Sequence, residues 1–270
     1  MSATTSTLPR PSTPTIGPRA PRFAFPVIDR VVGAHTTRVL GIDAQTASIV
    51  RLQLERPEGY QFRAGQHALL RLSTDQGPDL RPLSLAGAPG SGPLEFATRI
   101  GPTSFKQAML GLRPGDIVKV SRPMGGLAYD PTRPAIAIAG GIGITPVRSL
   151  LLDTASASAH APFRLLYSNH TADDIPFVHE LAEMVSRREN VSVTWVLTSP
   201  STATLPGPVH AGRLTGEFLR QQAAELPDAK FYLTGPAAMV RDVKARLRIL
   251  GIAHARIETI AQGYRQAAAR

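Results

Sequence analysis

Cysteine is absent from the 270 residues. That excludes a disulfide framework, a cysteine zinc site and a thiolate-held iron–sulfur cluster within this chain. It agrees with a reducing compartment, and a cytoplasmic location is the expectation. No apolar run approaches the roughly 18 residues that a membrane helix needs, so no membrane span is expected. Tryptophan occurs once, and aromatic residues make up 6% of the chain. No block of Lys and Arg is interleaved with aromatics, so nucleic acid is not an expected partner. The histidines show no ligand spacing: His160, His170 and His179 are too far apart for a pair on one helical turn. No metal is therefore expected. No nucleophilic triad or carboxylate dyad stands out, and Glu180 and Glu183 read as the exposed face of a helix.

Acidic residues are also in short supply. The net charge is +10. Residues 1–22 hold Arg10, Arg19 and Arg22 and no acid. That stretch is rich in Ser, Thr and Pro, has no apolar core, and reads as a disordered basic tail. The remaining excess is scattered, as on a solvated surface. Such a surface attracts acidic proteins and phosphate-bearing ligands.

From Phe23 to about Met124 the hydrophobic period is mostly two. "TASIVRLQLER", "HALLRLS", "RPLSLAG", "LEFATRI" and "DIVKVSR" are strand-like, and turn signals such as "RPEG", "APGSGP" and "RPGD" separate them. One helix, "SFKQAMLGL", interrupts them, with Ser104 as its expected N-cap. The pattern predicts a small antiparallel barrel. After "MGGLAYDPTRP" strands and helices alternate, beginning with "AIAIAGG" and "TPVRSLLLDT" and ending with "KFYLTG", "PAAMVRDVKARLRILG" and "ARIETI". That alternation predicts a doubly wound parallel sheet over residues 131–270.

Three motifs carry chemistry. In "AIAIAGGIGITPVRSL" an apolar strand runs into Gly140, Gly141 and Gly143, then Thr145–Pro146 and a helix. Glycines let backbone approach a phosphate, and the helix start offers free N–H groups to it. The spacing is not that of the ordinary G-x-G-x-x-G dehydrogenase fingerprint. In "FYLTGPAAMV" a second strand ends at Gly235–Pro236, ahead of Met239. In "RPLS" a strand carries Arg81, Pro82, Leu83 and Ser84, and "GPTS" follows at Gly101, Thr103 and Ser104. Arg81 has a fork of donors suited to a phosphate.

In this order, these stretches resemble the ferredoxin–NADP reductase-like flavoproteins, over almost everything from Val27 to Tyr264. The resemblance implies an antiparallel Greek-key barrel over residues 23–130 that binds FAD, followed by a nucleotide-binding α/β domain that binds NADPH or NADH. It implies that Arg81 pairs with a flavin phosphate, with Pro82 at the strand edge. Ser84 would lie near the flavin N5, and Gly101, Thr103 and Ser104 would cradle the pyrophosphate. Gly140, Gly141, Gly143, Thr145 and Pro146 would line the nicotinamide side, and Gly235, Pro236 and Met239 the opposite wall. Ser84 and Thr145 would stand closest to the reaction. Glu258 and Tyr264 would close the flavin site from the C-terminal end. Two positions depart from the family's habit: Leu83 replaces a stacking aromatic, and Ile260 replaces another after Glu258. Weaker flavin retention is the expected consequence.

The implied reaction passes hydride from nicotinamide to flavin, and electrons then go to a separate acceptor. An acidic electron-carrier protein (ferredoxin, flavodoxin or haem protein) is the leading expectation. Small diffusible acceptors, such as ferric chelates or quinones, and a non-catalytic module are the alternatives. His170 and the Arg187–Arg188 pair are candidates for an adenosine 2′-phosphate, with NADPH against NADH left open.

Overall fold

The computed structural model describes residues 34–154, 161–199 and 204–262. The 1–22 tail and Tyr264 lie outside the described residues. Six antiparallel strands come first: β1 (His35–Thr46), β2 (Ile49–Leu54), β3 (His67–Thr74), β4 (Gly77–Ser84), β5 (Leu94–Arg99) and β6 (Ile117–Val120). Their order is β4-β3-β6-β1-β2-β5. Two hairpins, β1–β2 and β3–β4, are joined by crossing connections, which is the expected Greek key. The inward residues of these strands, among them Leu52, Leu70, Phe96 and Val120, are fully buried. The helix α1 (Ser104–Leu110) plugs one side through Phe105 and Met109. At the seam between the terminal strands the amide of Ala86, just past β4, donates to the carbonyl of Glu95 on β5 at 2.8 Å.

Two barrel details differ from the sequence reading. β1 has buried residues only at Thr37 and Val39, so its sequence shows no sustained alternation and does not read as a strand. The N-cap of α1 is Thr103 rather than Ser104, and it makes no side-chain cap bond. Ser104 is the first helical residue.

The second half is a six-stranded parallel sheet, ordered β10-β9-β8-β7-β11-β12. Its strands are β7 (Ala135–Gly140), β8 (Phe163–Asn169), β9 (Val191–Leu197), β10 (Val209–Ala211), β11 (Lys230–Pro236) and β12 (Ile257–Gln262). Every residue of β7 is buried, as expected of a central parallel strand covered on both faces. Helices α2 (Ile144–Thr154) and α3 (Val178–Ser186) pack on one face through Val147, Leu150 and Leu181. Helices α4 (Gly216–Glu225) and α5 (Ala237–Ile249) pack on the other through Leu219, Val240 and Leu247. The chain moves outward from β7 through β8, β9 and β10, then returns to β11 on its other side. The reversal places the topological switch point at the carboxyl ends of β7 and β11, where doubly wound sheets bind ligands.

Candidate nucleotide cleft and flavin strand

At the switch point two glycine turns press together. β7 ends in Gly140 and continues as a short 3-10 turn, Gly141–Gly143, straight into α2. A β-carbon on Gly143 would lie 2.6 Å from the Gly235 nitrogen, and one on Gly140 would lie 2.6 Å from the Met239 sulfur. Gly235 has φ 135°, and its own β-carbon would sit 2.9 Å from the Gly140 nitrogen. Gly141 has φ 50° and the nearest atom to its missing side chain is an Arg99 nitrogen, 3.9 Å away. Gly140, Gly143 and Gly235 therefore serve close backbone packing, whereas Gly141 faces open space.

That space is a cleft of about 610 Å³, lined by Gly140, Gly141, Pro236 and Met239 together with Arg99, Arg213, Arg246 and His170. Two carboxylates join them. Asp174 accepts from Arg99 at 2.6 Å, and Asp242 accepts from Arg246 at 3.0 Å. Glycine backbone and a cationic rim fit a phosphate-bearing nucleotide. Thr145 and Pro146 are buried beneath this turn, and the Thr145 hydroxyl donates to the Ile142 carbonyl at 3.1 Å. Thr145 thus shapes the turn and does not point a free hydroxyl at a ligand.

Arg187 and Arg188 do not line the cleft. Arg187 pairs with Glu183 on the exposed face of α3, and Arg188 donates to the Leu151 carbonyl. The cationic rim comes from Arg213 and Arg246 instead, which sequence spacing does not single out because they sit on different elements. Glu258 does not line this cleft: it pairs with Lys230 at the first residue of β11, toward the end of the sheet away from it. Its position at the start of a parallel edge strand, rather than at the end, is the reason.

The residues expected on the flavin side lie along the outer edge of the barrel. Among the described residues β4 pairs only with β3, so no strand lies along its other edge. Register puts Arg81 opposite Leu70, Leu83 opposite Ala68, and Ser84 opposite His67. Arg81 and Leu83 therefore share one face with Asp79, and Ser84 and Pro82 share the other. Arg81 forms an ion pair with Asp79 at 2.8 Å, and Leu83 packs partly buried against the barrel core. Beyond β5, Lys106 folds back to within 3.2 Å of a β-carbon on Gly101, and the Gln107 amide donates to the Gly101 carbonyl at 2.9 Å. Thr103 makes no side-chain cap bond, so it does not satisfy the first N–H groups of α1. An open strand edge, two cations and an uncapped helix start fit the phosphate and ring of a flavin nucleotide.

The barrel and the parallel half meet through polar side chains. Arg99 reaches from β5 to Asp174 and donates to Ser48 at 2.5 Å, and the Ser48 hydroxyl also bonds Asp174. Burial by itself raises the Asp174 carboxyl, but hydrogen bonds from Arg99 and Ser48 outweigh it and hold the group below its ordinary value. A second contact centres on Arg148 of α2, whose side chain is 4% exposed. It bonds Glu95 of β5 at 2.9 Å and Glu180 of α3 at 2.9 Å. Glu180, which reads in sequence as part of a solvated helix face, is one arm of this contact. A further cavity of about 420 Å³, lined by residues that include Phe62, Gln66, Gly126, Tyr129 and Asp153, contains none of the predicted site residues.

Among the described residues no cluster of His, Asp and Glu could hold a metal, and no helix is long and apolar enough to cross a membrane.

Comparison with known proteins gives a consistent relationship. Residues 137–245 match the family model of the oxidoreductase NAD-binding domain. The chain is 28% identical over 233 residues to a component of the 1,2-phenylacetyl-CoA epoxidase of Escherichia coli, covering 81% of this chain and 65% of that protein. It is 29% identical over 212 residues to the reductase component of propane 2-monooxygenase from a Gordonia species, covering 76% of this chain and 61% of the relative. The chain thus spans less than two thirds of either relative's length. A ferredoxin NADP+ reductase from Neisseria gonorrhoeae, solved with bound FAD and NADP, shares the fold with a TM-score of 0.73 at 20% identity, over 85% of this chain and 99% of that one. With an antiparallel barrel, a parallel sheet and paired glycine turns at its switch point, the chain is similar in fold and sequence to the ferredoxin reductase-like FAD/NAD-binding oxidoreductases, and its residues 137–245 match their NAD-binding domain.

Proposed function

We propose that this protein takes hydride from NADPH or NADH onto FAD and passes the electrons to a separate acidic electron-carrier or oxygenase-type protein. The observation that carries this reading is the contact of the Gly140–Gly143 and Gly235 turns at the edge of a cation-rimmed cleft, to which the barrel contributes Arg99. FAD supplies the hydride- and electron-accepting chemistry when bound.

The chain's own residues hold, orient and neutralise. Arg81 exchanges Asp79 for a flavin phosphate, and Gly101, Thr103 and Ser104 offer backbone donors at the start of α1. Ser84 presents its hydroxyl to the reactive edge of the ring, and Leu83 covers one face by apolar contact. Gly141 lets the nicotinamide nucleotide approach the backbone, while Gly140, Gly143 and Gly235 keep the two turns in contact. Met239 and Pro236 form the opposite wall. Arg99, Arg213, Arg246 and His170 neutralise the nucleotide's phosphates. The surplus of ten positive charges favours encounter with an acidic partner. The relatives' places in an epoxidase and in a monooxygenase system support a protein acceptor.

Anaerobic mixing of FAD-loaded protein with NADPH and with NADH tests the reading. Bleaching of the flavin absorbance by at least one nucleotide is the expected result. Protein that binds FAD but is bleached by neither would overturn it.

A further inference from the structure

The segment 85–93, between β4 and β5, is held by its carbonyl groups from two sides. Arg56 of the barrel donates to the carbonyls of Ala88, Pro89, Ser91 and Gly92 at 2.7, 2.6, 3.0 and 2.8 Å. From the other half, Arg148 donates to the carbonyl of Ala86 at 2.7 Å, and Ser149 to that of Gly87 at 2.8 Å. The segment is thus a joint shared by both halves. Ala86 lies two residues beyond Ser84 on the flavin strand. Arg148 lies five residues beyond Gly143, on the helix that continues the nucleotide turn.

Arg148 is unusually supported for this task. Its guanidinium bonds Glu95 across the seam and Glu180 through both carboxylate oxygens, with Nε at 3.1 and 3.0 Å. It lies over the Phe177 ring, 4.6 Å from the centroid. Phe177 is the one non-glycine residue with positive φ, 62°, among the described residues. A bulky side chain seldom adopts that conformation unless its surroundings enforce it. A buried ion-paired cluster is a poor way to gain stability, because apolar residues of similar volume often do as well. Its directional bonds do something apolar packing does not: they fix the register of one element on another. Hydride transfer depends on such registration, since the reacting atoms must lie roughly 3–3.5 Å apart and a misplacement of about 1 Å can cost about 100-fold.

We propose that Arg148 is a positioning residue for hydride transfer, setting the spacing between the nucleotide turn at Gly140–Gly143 and the flavin strand at Ser84 through Ala86 and Glu95. This role rests on the function proposed above. It touches neither cofactor and acts through the joint.

The test compares wild type with Arg148→Met and Glu95→Gln, each loaded with FAD. Stopped-flow reduction should slow by about tenfold or more in Arg148→Met. The KM for nucleotide and the Kd for FAD should each stay within about twofold of wild type, because the binding groups are intact. The long-wavelength charge-transfer absorbance between nicotinamide and flavin should weaken in parallel. Glu95→Gln keeps the shape of the cluster and should show a smaller loss in the same direction; it decides the matter if Arg148→Met does not fold. In cofactor-free protein, amide hydrogen exchange should quicken in residues 85–93 and 140–147 together. Folded variants with wild-type reduction rates, or with rate and KM worsening together in step with thermal stability, would overturn the role. A wild type that transfers no hydride overturns the proposed function and this role with it. A competent wild type with indifferent variants overturns only the role of Arg148.

Discussion

The Gly235 nitrogen lies 2.6 Å from where a β-carbon on Gly143 would stand, so the two turns that form the nucleotide cleft touch backbone to backbone. No side chain can give way at that contact. Gly143→Ala must therefore push β11 and the 3-10 turn apart. Overpacking of this kind costs roughly 1–3 kcal/mol. The expected outcome is a lower melting temperature together with weaker nucleotide binding, read by thermal unfolding and by titration of nucleotide against flavin absorbance. Gly141→Ala meets no atom closer than 3.9 Å, and the strain of its φ of 50° is its main cost. It should keep more of its stability than Gly143→Ala while still blocking the nucleotide.

Asp174 joins the two halves through Arg99, and its carboxyl is held below the ordinary value by those hydrogen bonds despite partial burial. In the unfolded chain the same group titrates at roughly 3.9. A carboxyl depressed on folding contributes stability that is present above its unfolded pKa and lost as pH falls through its folded one. Asp174→Asn should therefore lower the melting temperature at neutral pH. The two melting curves should converge as pH falls below the ordinary carboxylate range. A constant difference down to strong acid would show that the carboxylate charge is not what joins Arg99 to α/β residues.

Much of this arrangement is legible in the sequence because the signals are local. β7 reads as a buried parallel strand from six consecutive small or apolar residues, and Gly141–Gly143 follows it directly. Its companion turn at Gly235 is legible for the same reason. β1 is not, since 12 residues with only two buried positions carry no clear period. The Arg148 joint is not legible either. Its partners Glu95 and Ala86 lie 53 and 62 residues away, and an arginine in a helix reads as surface charge until the packing is known. Arg187 and Arg188 draw the eye as a cationic rim because adjacent charges stand out in a sequence. Arg213 and Arg246, which form it, are brought together only by the order of the strands.

Arg213, on the rim of the cleft, is where a preference between NADPH and NADH is tested. Arg246 is already engaged by Asp242, whereas Arg213 has no carboxylate partner among the described residues. A free guanidinium suits the additional phosphate of NADPH, which it can meet with two parallel donors. Arg213→Gln should raise the KM for NADPH about tenfold and leave that for NADH within about twofold, a loss of about 1.4 kcal/mol. Steady-state reduction of a small artificial acceptor measures both. Equal losses with the two nucleotides would place Arg213 against a phosphate that both share.

Under the proposed function Leu83 covers the flavin, at the position where the resemblance leads one to expect an aromatic ring. It is half-buried against the barrel core, opposite Ala68 across the hairpin. An aliphatic side chain covers a ring by area alone. A tyrosine adds about 0.5–1.5 kcal/mol from ring stacking beyond that area. Leu83→Tyr should lower the FAD dissociation constant by about two- to tenfold, measured by quenching of flavin fluorescence. Part of the leucine's packing on the core is lost in the exchange, so the cofactor-free variant should melt slightly below wild type, and FAD should restore more stability to it than to wild type. The two measurements separate the causes. Tighter binding with a larger FAD-induced shift locates the new ring on the flavin. Unchanged binding with a lower melting temperature shows that another group covers that face and that Leu83 serves only the barrel.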